Sequence, residues 1–208
     1  MTETKVPKSW NEVTIGQYRE MISVEQDEGI SHIIEKISIL TNEDPADIRK
    51  WPVNKFRQVS EEIKWSNLPV DTYVLDQFEL DGVTYGRIPR LDFILTGEMI
   101  DVEQWQKDPI GNMHFYAALM YRPITHQFPA YYLIEDYKVE GFYERADLFN
   151  EKLSITKVNG FFLSCSLFVT EFTIGLQDYL TNPKIEPQKK LKKTSKKKVT
   201  RKPTKKNK

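Results

Sequence analysis

The sequence contains little cysteine, little histidine and no long hydrophobic run. Cys165 is the single cysteine among 208 residues, so no intrachain disulfide can form, and such a chain suits a reducing compartment. The uncharged run from Val158 to Thr170 spans 13 residues before Glu171 interrupts it, whereas a membrane helix needs about 20 apolar residues. The first ten residues, MTETKVPKSW, lack the apolar region of a secretory signal. We therefore expect neither secretion nor a membrane partner.

Histidine and cysteine occur in no arrangement typical of a catalytic or metal site. His32, His114 and His126 show no Cys/His ligand spacing and no HExxH pattern. We interpret His32 as a helix-surface residue, and His114 as a buried or half-buried residue with its hydrogen bonds satisfied. Cys165 lies at a helix-packing position, which indicates a core residue rather than a nucleophile. The sequence predicts no enzyme activity, no metal and no cofactor.

A rival hypothesis assigns chemistry to the acidic residues. Glu98 and Asp101 could hold a divalent cation for a nuclease or another phosphoryl-transfer enzyme. Both also fall in the first turns of a helix that Thr96 is expected to cap, where carboxylates stabilise the positive end of the helix dipole. We favour this structural interpretation.

The patterning predicts an α+β domain that is mainly α-helical, with a small antiparallel β-hairpin and a long C-terminal helix. Asp81-Gly82 between alternating segments predicts strands at about 76–80 and 83–88, and this interpretation is preferred over a phosphate-binding loop. Tyr131–Ile134 is either a third strand or a buried extended segment. The expected parts are a flexible arm (1–9), a globular domain (10–183) composed of a helical part (10–66) and a hairpin with further helices (67–183), and a disordered basic tail (184–208).

Helix signals recur along the whole domain. Thr14 with Gln17 reads as a capping box, and Asp44-Pro45 opens another helix. The segment from Met113 to Tyr121 is apolar all round, which predicts a central helix that ends at Arg122-Pro123. A short helix is expected from Phe142 to Leu148.

The last helix, expected from about Ser154 to Leu180, carries an apolar seam with alternating spacings of four and three residues. The seam consists of Val158, Phe162, Cys165, Val169, Phe172, Leu176 and Tyr179. Such spacing is typical of a helix that packs along one side, and we expect the last helix to pack on the central helix from Met113 to Tyr121. Because Leu163, Phe168 and Ile174 widen the apolar surface, we expect this helix to bind a partner protein as well. The candidate partner-binding residues are Phe162, Val169, Phe172 and Leu176.

The net charge of zero conceals a strong charge segregation. Residues 184–208 contain twelve lysines and one arginine against one glutamate, a net charge of +12, and residues 1–183 contain 17 basic and 29 acidic residues, a net charge of −12. The tail has no aromatic residue for base stacking, so it could bind DNA or RNA only by neutralising phosphates. The alternative is a solubilising tail, or one that folds back on the acidic domain. The candidate nucleic-acid-binding residues are Lys189, Lys190, Lys192, Lys193, Lys196, Lys197, Lys198, Arg201, Lys202, Lys205 and Lys206.

Several sequence segments together resemble a known group of proteins. They are Trp10–Tyr18 (WNEVTIGQY), Ile37–Thr41 before an acidic, proline-capped turn, Gly97–Asp101 (GEMID), Met113-His114 and Leu119–Pro123 (LMYRP). Over residues 10–180, this pattern is similar to small proteins encoded among the morphogenesis genes of tailed bacteriophages, often labelled tail assembly chaperones or uncharacterised virion proteins.

The resemblance implies a non-enzymatic phage morphogenesis protein with no catalytic residues. A tail assembly chaperone would bind apolar segments of a phage structural protein, such as the tape-measure protein, in the host cytoplasm during assembly. The alternative is a virion or packaging component that binds nucleic acid through its lysine-rich tail.

Overall fold

Helices make up most of the described structure. The computed structural model describes residues 4–24, 29–89, 94–138 and 140–181. The α-helices in these ranges are α1 (Ile15–Ser23), α2 (Ile30–Thr41), α3 (Pro45–Ile48), α4 (Val53–Glu62), α5 (Thr96–Trp105), α6 (Met113–Met120), α7 (Phe142–Lys152) and α8 (Asn159–Thr181). Short 3-10 turns cover Trp10–Glu12, Lys64–Asn67 and Ile155–Lys157.

Two predicted helix starts are confirmed by their caps. At α1, the backbone N–H of Gln17 donates to Thr14 Oγ1 over 3.2 Å, and the Gln17 side chain accepts from Thr14 N over 3.1 Å. At α3, Asp44 Oδ1 accepts from Ala46 N over 2.7 Å, and Pro45 occupies the first helical position. These contacts satisfy backbone donors that the helix itself leaves unpaired.

The strands form one antiparallel sheet in the order β1-β2-β3-β4. They are β1 (Gln77–Leu80), β2 (Val83–Arg87), β3 (Tyr121–Gln127) and β4 (Tyr132–Ile134). At the tip of the predicted hairpin, Asp81 has φ 49° and Gly82 has φ 77°, as a type I′ turn requires. The predicted α+β class, mainly helical and with this hairpin, is confirmed.

The third strand corrects the expected end of the central helix. α6 ends at Met120, and the chain continues directly as β3, with Tyr85 of β2 paired to Pro123. A proline inside a central strand removes a hydrogen-bond donor, so Arg122-Pro123 predicted only the end of the helix and not a strand. Here the Pro123 carbonyl still accepts from Glu135 N over 2.9 Å. Pro123 therefore joins the sheet through its carbonyl oxygen. Sequence reasoning considered only the missing N–H donor.

The central position of α6 agrees with its apolar composition. All of its residues except Phe115 are buried. The hairpin packs on the helices through aromatic rings: the centroid of Phe149 in α7 lies 5.7 Å from that of Phe78 and 4.9 Å from that of Tyr85. An isolated hairpin is barely stable in water, and these contacts supply the apolar support that it needs.

The N-terminal segment, expected as a flexible arm at 1–9, makes contacts with the domain in the part that the structure describes. Residues 4–9 lie against the helices: Pro7 is buried, and Trp65 Nε1 donates to the Pro7 carbonyl over 3.1 Å. A hydrophilic N-terminal sequence gave no sign of this contact, because its partner is far away in the chain.

The final helix begins later than expected, because the preceding segment is used for a contact with the N-terminal part. Ile155 N donates to Val13 O over 2.9 Å, and Ile15 N donates to Leu153 O over 3.0 Å. Residues 155–157 therefore form a 3-10 turn, and α8 starts at Asn159. α7 is longer than the predicted helix, reaching Lys152.

Candidate partner-binding surface

The beginning of α8 is held firmly in the core. Asn159 Nδ2 donates to the carbonyl of Asp71 over 3.1 Å. At Gly160 the segment before β1 crosses the helix so closely that a Cβ would lie 2.2 Å from the Thr72 carbonyl oxygen. Two residues later, Phe162 meets Tyr116 of α6 edge to face, with ring centroids 5.5 Å apart. This packing confirms the predicted contact between the last helix and the central helix.

The far half of α8 separates from the core and remains apolar. In this half Phe172 and Ile174 are 47% and 54% exposed, and nearer the start of the helix Leu163 and Leu167 are 43% and 67% exposed. An open cleft of about 240 Å³ lies between this half and the turn after α5; its lining residues are Gln106, Pro109, Tyr116, Thr170, Thr173 and Ile174. Exposed apolar side chains grouped on one helix are typical of a protein-binding surface.

The predicted partner-binding residues fall into three groups. Phe162 is 6% exposed and belongs to the core, which corrects its assignment to the surface. Phe172 is half exposed at the continuation of the same seam. Val169 and Leu176 lie within α8, but their side chains are outside the described part of the structure. Leu167 is the most exposed apolar residue described on α8, and sequence reasoning missed it because it lies off the seam.

The candidate nucleic-acid-binding residues all lie outside the described residues, which end at Thr181.

Glu98, one of the two acidic residues considered as metal ligands, makes other contacts. Glu98 is buried, pairs with the buried guanidinium of Arg122 and accepts from Leu95 N over 2.6 Å. The N-cap residue of α5 is therefore Leu95, whereas the sequence predicted Thr96. Among the described residues, no group of three or more His, Cys, Asp or Glu could hold a metal ion. The Glu98–Arg122 pair was missed because nothing in the sequence connects two positions 24 residues apart.

Arg122 is anchored by two further acceptors. Its Nε donates to the Leu119 carbonyl over 3.0 Å, and its Nη1 donates to the Glu135 carbonyl over 3.4 Å. A buried guanidinium that is paired and hydrogen-bonded in this way links α5, the end of α6 and the segment after β4. This arrangement is structural, and it positions α5 beside α6.

The buried thiol and imidazole lie in apolar surroundings. Burial raises the pKa of the Cys165 thiol well above its usual range, which opposes thiolate formation and agrees with the predicted core position. His114 is also buried, and burial together with the nearby Arg19 charge lowers its pKa to about 4, an effect that Asp147 partly opposes. Within the described structure His114 Nδ1 has no hydrogen-bond partner, so the expectation of a satisfied histidine is wrong at this atom.

The other two histidines lie nearer the surface. His32 is half-buried on α2, and its Nδ1 has no partner among the described residues. His126 is exposed on β3 and lies 6.4 Å from the Phe128 ring, centroid to centroid.

Comparisons with known proteins assign no role to this surface, so its role is inferred from its own residues. No protein-family model, no curated protein and no solved structure matches the chain. Of the helices in the described ranges, none combines the length and the apolar character needed to traverse a bilayer.

Proposed function

We propose that the chain is a non-enzymatic bacteriophage morphogenesis protein, a tail assembly chaperone that holds apolar segments of a structural partner in the host cytoplasm. The observation that carries this proposal is the half-exposed Phe172 on the part of α8 that leaves the core. The resemblance of residues 10–180 to phage morphogenesis proteins supports the class of partner.

The helical geometry explains why Phe172 suits a partner. Phe172 follows Cys165 by seven residues, so the two side chains point in directions that differ by only about 20°. Cys165 is fully buried against the body, whereas Phe172 is 47% exposed. The apolar seam therefore continues beyond the surface that the described part of the chain covers. Phe168 packs partly on the core, and its ring centroid lies 6.4 Å from that of Phe172, which extends the aromatic surface.

An amphipathic helix of the partner fits such a seam. Helix-in-groove recognition places side chains at helical spacing against an apolar surface, and aromatic anchors contribute most of the binding energy. Fully burying a phenylalanine side chain contributes about 1.5–3 kcal/mol, so the exposed half of Phe172 offers about 1 kcal/mol to a partner. The proposed interaction is therefore reversible, as an assembly chaperone requires.

Coexpression with the structural proteins encoded beside this gene tests the proposal. We expect the wild-type protein to keep the tape-measure protein soluble and to copurify with it. Phe172→Ser should weaken this complex about fivefold, the factor that corresponds to about 1 kcal/mol. The matched control is Phe128→Ser, because Phe128 is an aromatic residue 37% exposed in the turn between β3 and β4.

Two outcomes would overturn the assignment. One is that no neighbouring structural protein is retained by the wild type. The other is that Phe172→Ser and Phe128→Ser behave alike.

The charge segregation favours a second candidate function, a virion or packaging component that binds nucleic acid through residues 184–208. The tail carries +12 and the rest of the chain −12, so only the tail attracts phosphates. If about five to eight phosphates are contacted, raising the salt concentration from about 50 to about 200 mM should weaken binding by about three orders of magnitude.

A salt titration of a fluorescent oligonucleotide with the full chain and with a variant ending at residue 183 tests this function. The shortened variant should lose binding and keep its melting temperature. Equal affinity of the two proteins would contradict the second candidate, and presence of the protein in purified particles would favour it over the first.

A further inference from the structure

Residues 4–8 lie against the helical part of the domain without belonging to any helix or strand. Val6 is half-buried and Pro7 is buried, whereas Lys5 and Lys8 are exposed. Because proline fixes its own φ and steers the preceding residue away from the helical region, Val6-Pro7 is extended. The segment therefore buries an apolar pair and leaves a lysine exposed on each side of it, as a peptide bound to a groove does.

Side chains of the helical part hold this segment in place. Trp65 Nε1 donates to the Pro7 carbonyl over 3.1 Å, and the Trp65 ring meets Trp10 edge to face, with centroids 5.2 Å apart. Thr4 Oγ1 donates to Glu43 Oε1 over 3.0 Å. Among the described residues, no backbone–backbone hydrogen bond reaches this segment. Its release would therefore break no helix or sheet pairing.

The segment also forms one wall of an open cleft of about 460 Å³, to which Lys5 and Pro7 contribute. Glu12, Glu20 and Glu151 line the same cleft. The lysine two positions before the proline therefore shares the cleft with three carboxylates, and this charge match favours a basic residue at that position. The open cleft also gives a competing chain room to approach the segment.

We propose that residues 4–8 occupy a peptide-binding groove in cis, and that an extended basic–apolar–proline segment of a partner protein competes with them for it. Grooves lined by aromatic rings are a common means of recognising proline-containing segments, which lose little conformational entropy on binding. Here the Trp65 indole supplies the donor for the carbonyl that the extended segment presents. The contact made by residues 4–8 is therefore autoinhibitory, because the partner's segment binds only when they leave.

This groove is separate from the candidate surface on α8. Trp65 and Glu43, which contact the segment, belong to the helical part, and the cleft beside the segment shares no lining residue with the cleft beside α8. The inference therefore goes beyond the proposed function. Its test can fail while the proposal for Phe172 stands, and the reverse also holds.

A nuclear magnetic resonance titration of the full chain with the peptide TKVPKS, which copies residues 4–9, tests the competition. Pro7→Gly removes the buried ring from the cis segment, and the indole N–H signal of Trp65 should then move as the peptide binds. The wild type should bind the peptide at least about tenfold more weakly, because a tethered competitor acts at a millimolar effective concentration. Lys8→Gly is the matched control: it adds the same flexibility at an exposed position, and should bind the peptide as weakly as the wild type.

A second peptide tests the chemistry of the groove. TKVGKS, with glycine in place of proline, should bind the Pro7→Gly variant at least about fivefold more weakly than TKVPKS does. Should Pro7→Gly lower the melting temperature markedly, Val6→Ser loosens the same contact and takes its place. The inference is refuted if TKVPKS binds neither variant at millimolar concentration, if Lys8→Gly binds it as tightly as Pro7→Gly, or if the two peptides bind equally.

Discussion

Glu98→Gln should destabilise the protein strongly, because it leaves the Arg122 charge buried without a counterion. The substitution keeps the size of the side chain and an oxygen that can still accept from Leu95 N. It removes only the negative charge beside the guanidinium of Arg122, a residue that is 5% exposed. The two carbonyls that Arg122 also contacts satisfy hydrogen bonds, but they do not neutralise the charge.

The expected loss follows from the burial of both partners. Their side chains are 7% and 1% exposed, so solvent screens the pair very little. Removing one member of a buried ion pair costs about 3–5 kcal/mol, a large share of the stability of a domain of this size. Replacing both members, by Glu98→Leu with Arg122→Met, should recover most of this loss, because no unpaired charge then remains.

Urea denaturation followed by tryptophan fluorescence measures the effect. Asp47→Asn is the control, since it breaks the exposed Asp47–Lys50 pair and should leave the midpoint nearly unchanged. The reasoning fails if Glu98→Gln and Asp47→Asn shift the midpoint equally. It also fails if the double substitution is no more stable than Glu98→Gln, because the loss would then come from packing rather than from the unpaired charge.

Two further predictions concern single positions. The folded pKa of His114, about 4, lies below its unfolded value of about 6.5, so the unfolded state binds the proton more readily between these values. Stability should therefore fall by up to about 3 kcal/mol as the pH drops from 6.5 to 4, and His114→Gln should remove that part of the acid dependence in denaturation series at fixed pH. Gly160→Ala should cost about 1–3 kcal/mol, because its Cβ would overlap the carbonyl of Thr72, a backbone group that cannot turn aside. Gly175→Ala, with open space around it, should instead raise the melting temperature slightly; equal effects of the two glycine substitutions would contradict the packing at position 160.

The candidate surface could be predicted only in part. The spacing of the seam located α8 and its contact with the central helix, because helical periodicity is a local property. The spacing could not show which of Phe162 and Phe172 is buried and which is exposed, because both residues belong to the seam. Their different exposure depends on where the body of the protein ends beneath the helix. Leu167 escaped attention for the same reason: an apolar residue off the seam becomes a candidate contact only when its surroundings are open.

The sequence by itself determined the elements whose signals are short-range. The Thr14–Gln17 and Asp44-Pro45 caps, the Asp81-Gly82 turn and the apolar central helix all depend on neighbours within a few residues. Tertiary structure decided the features that join distant positions. β3 is a strand despite Pro123 because β2 and β4 flank it, Glu98 is buried because Arg122 meets it, and the N-terminal segment is held by the Trp65 indole. Each of these depends on a partner brought close only by folding, and the far half of α8 remains apolar and exposed because no described part of the chain reaches over it.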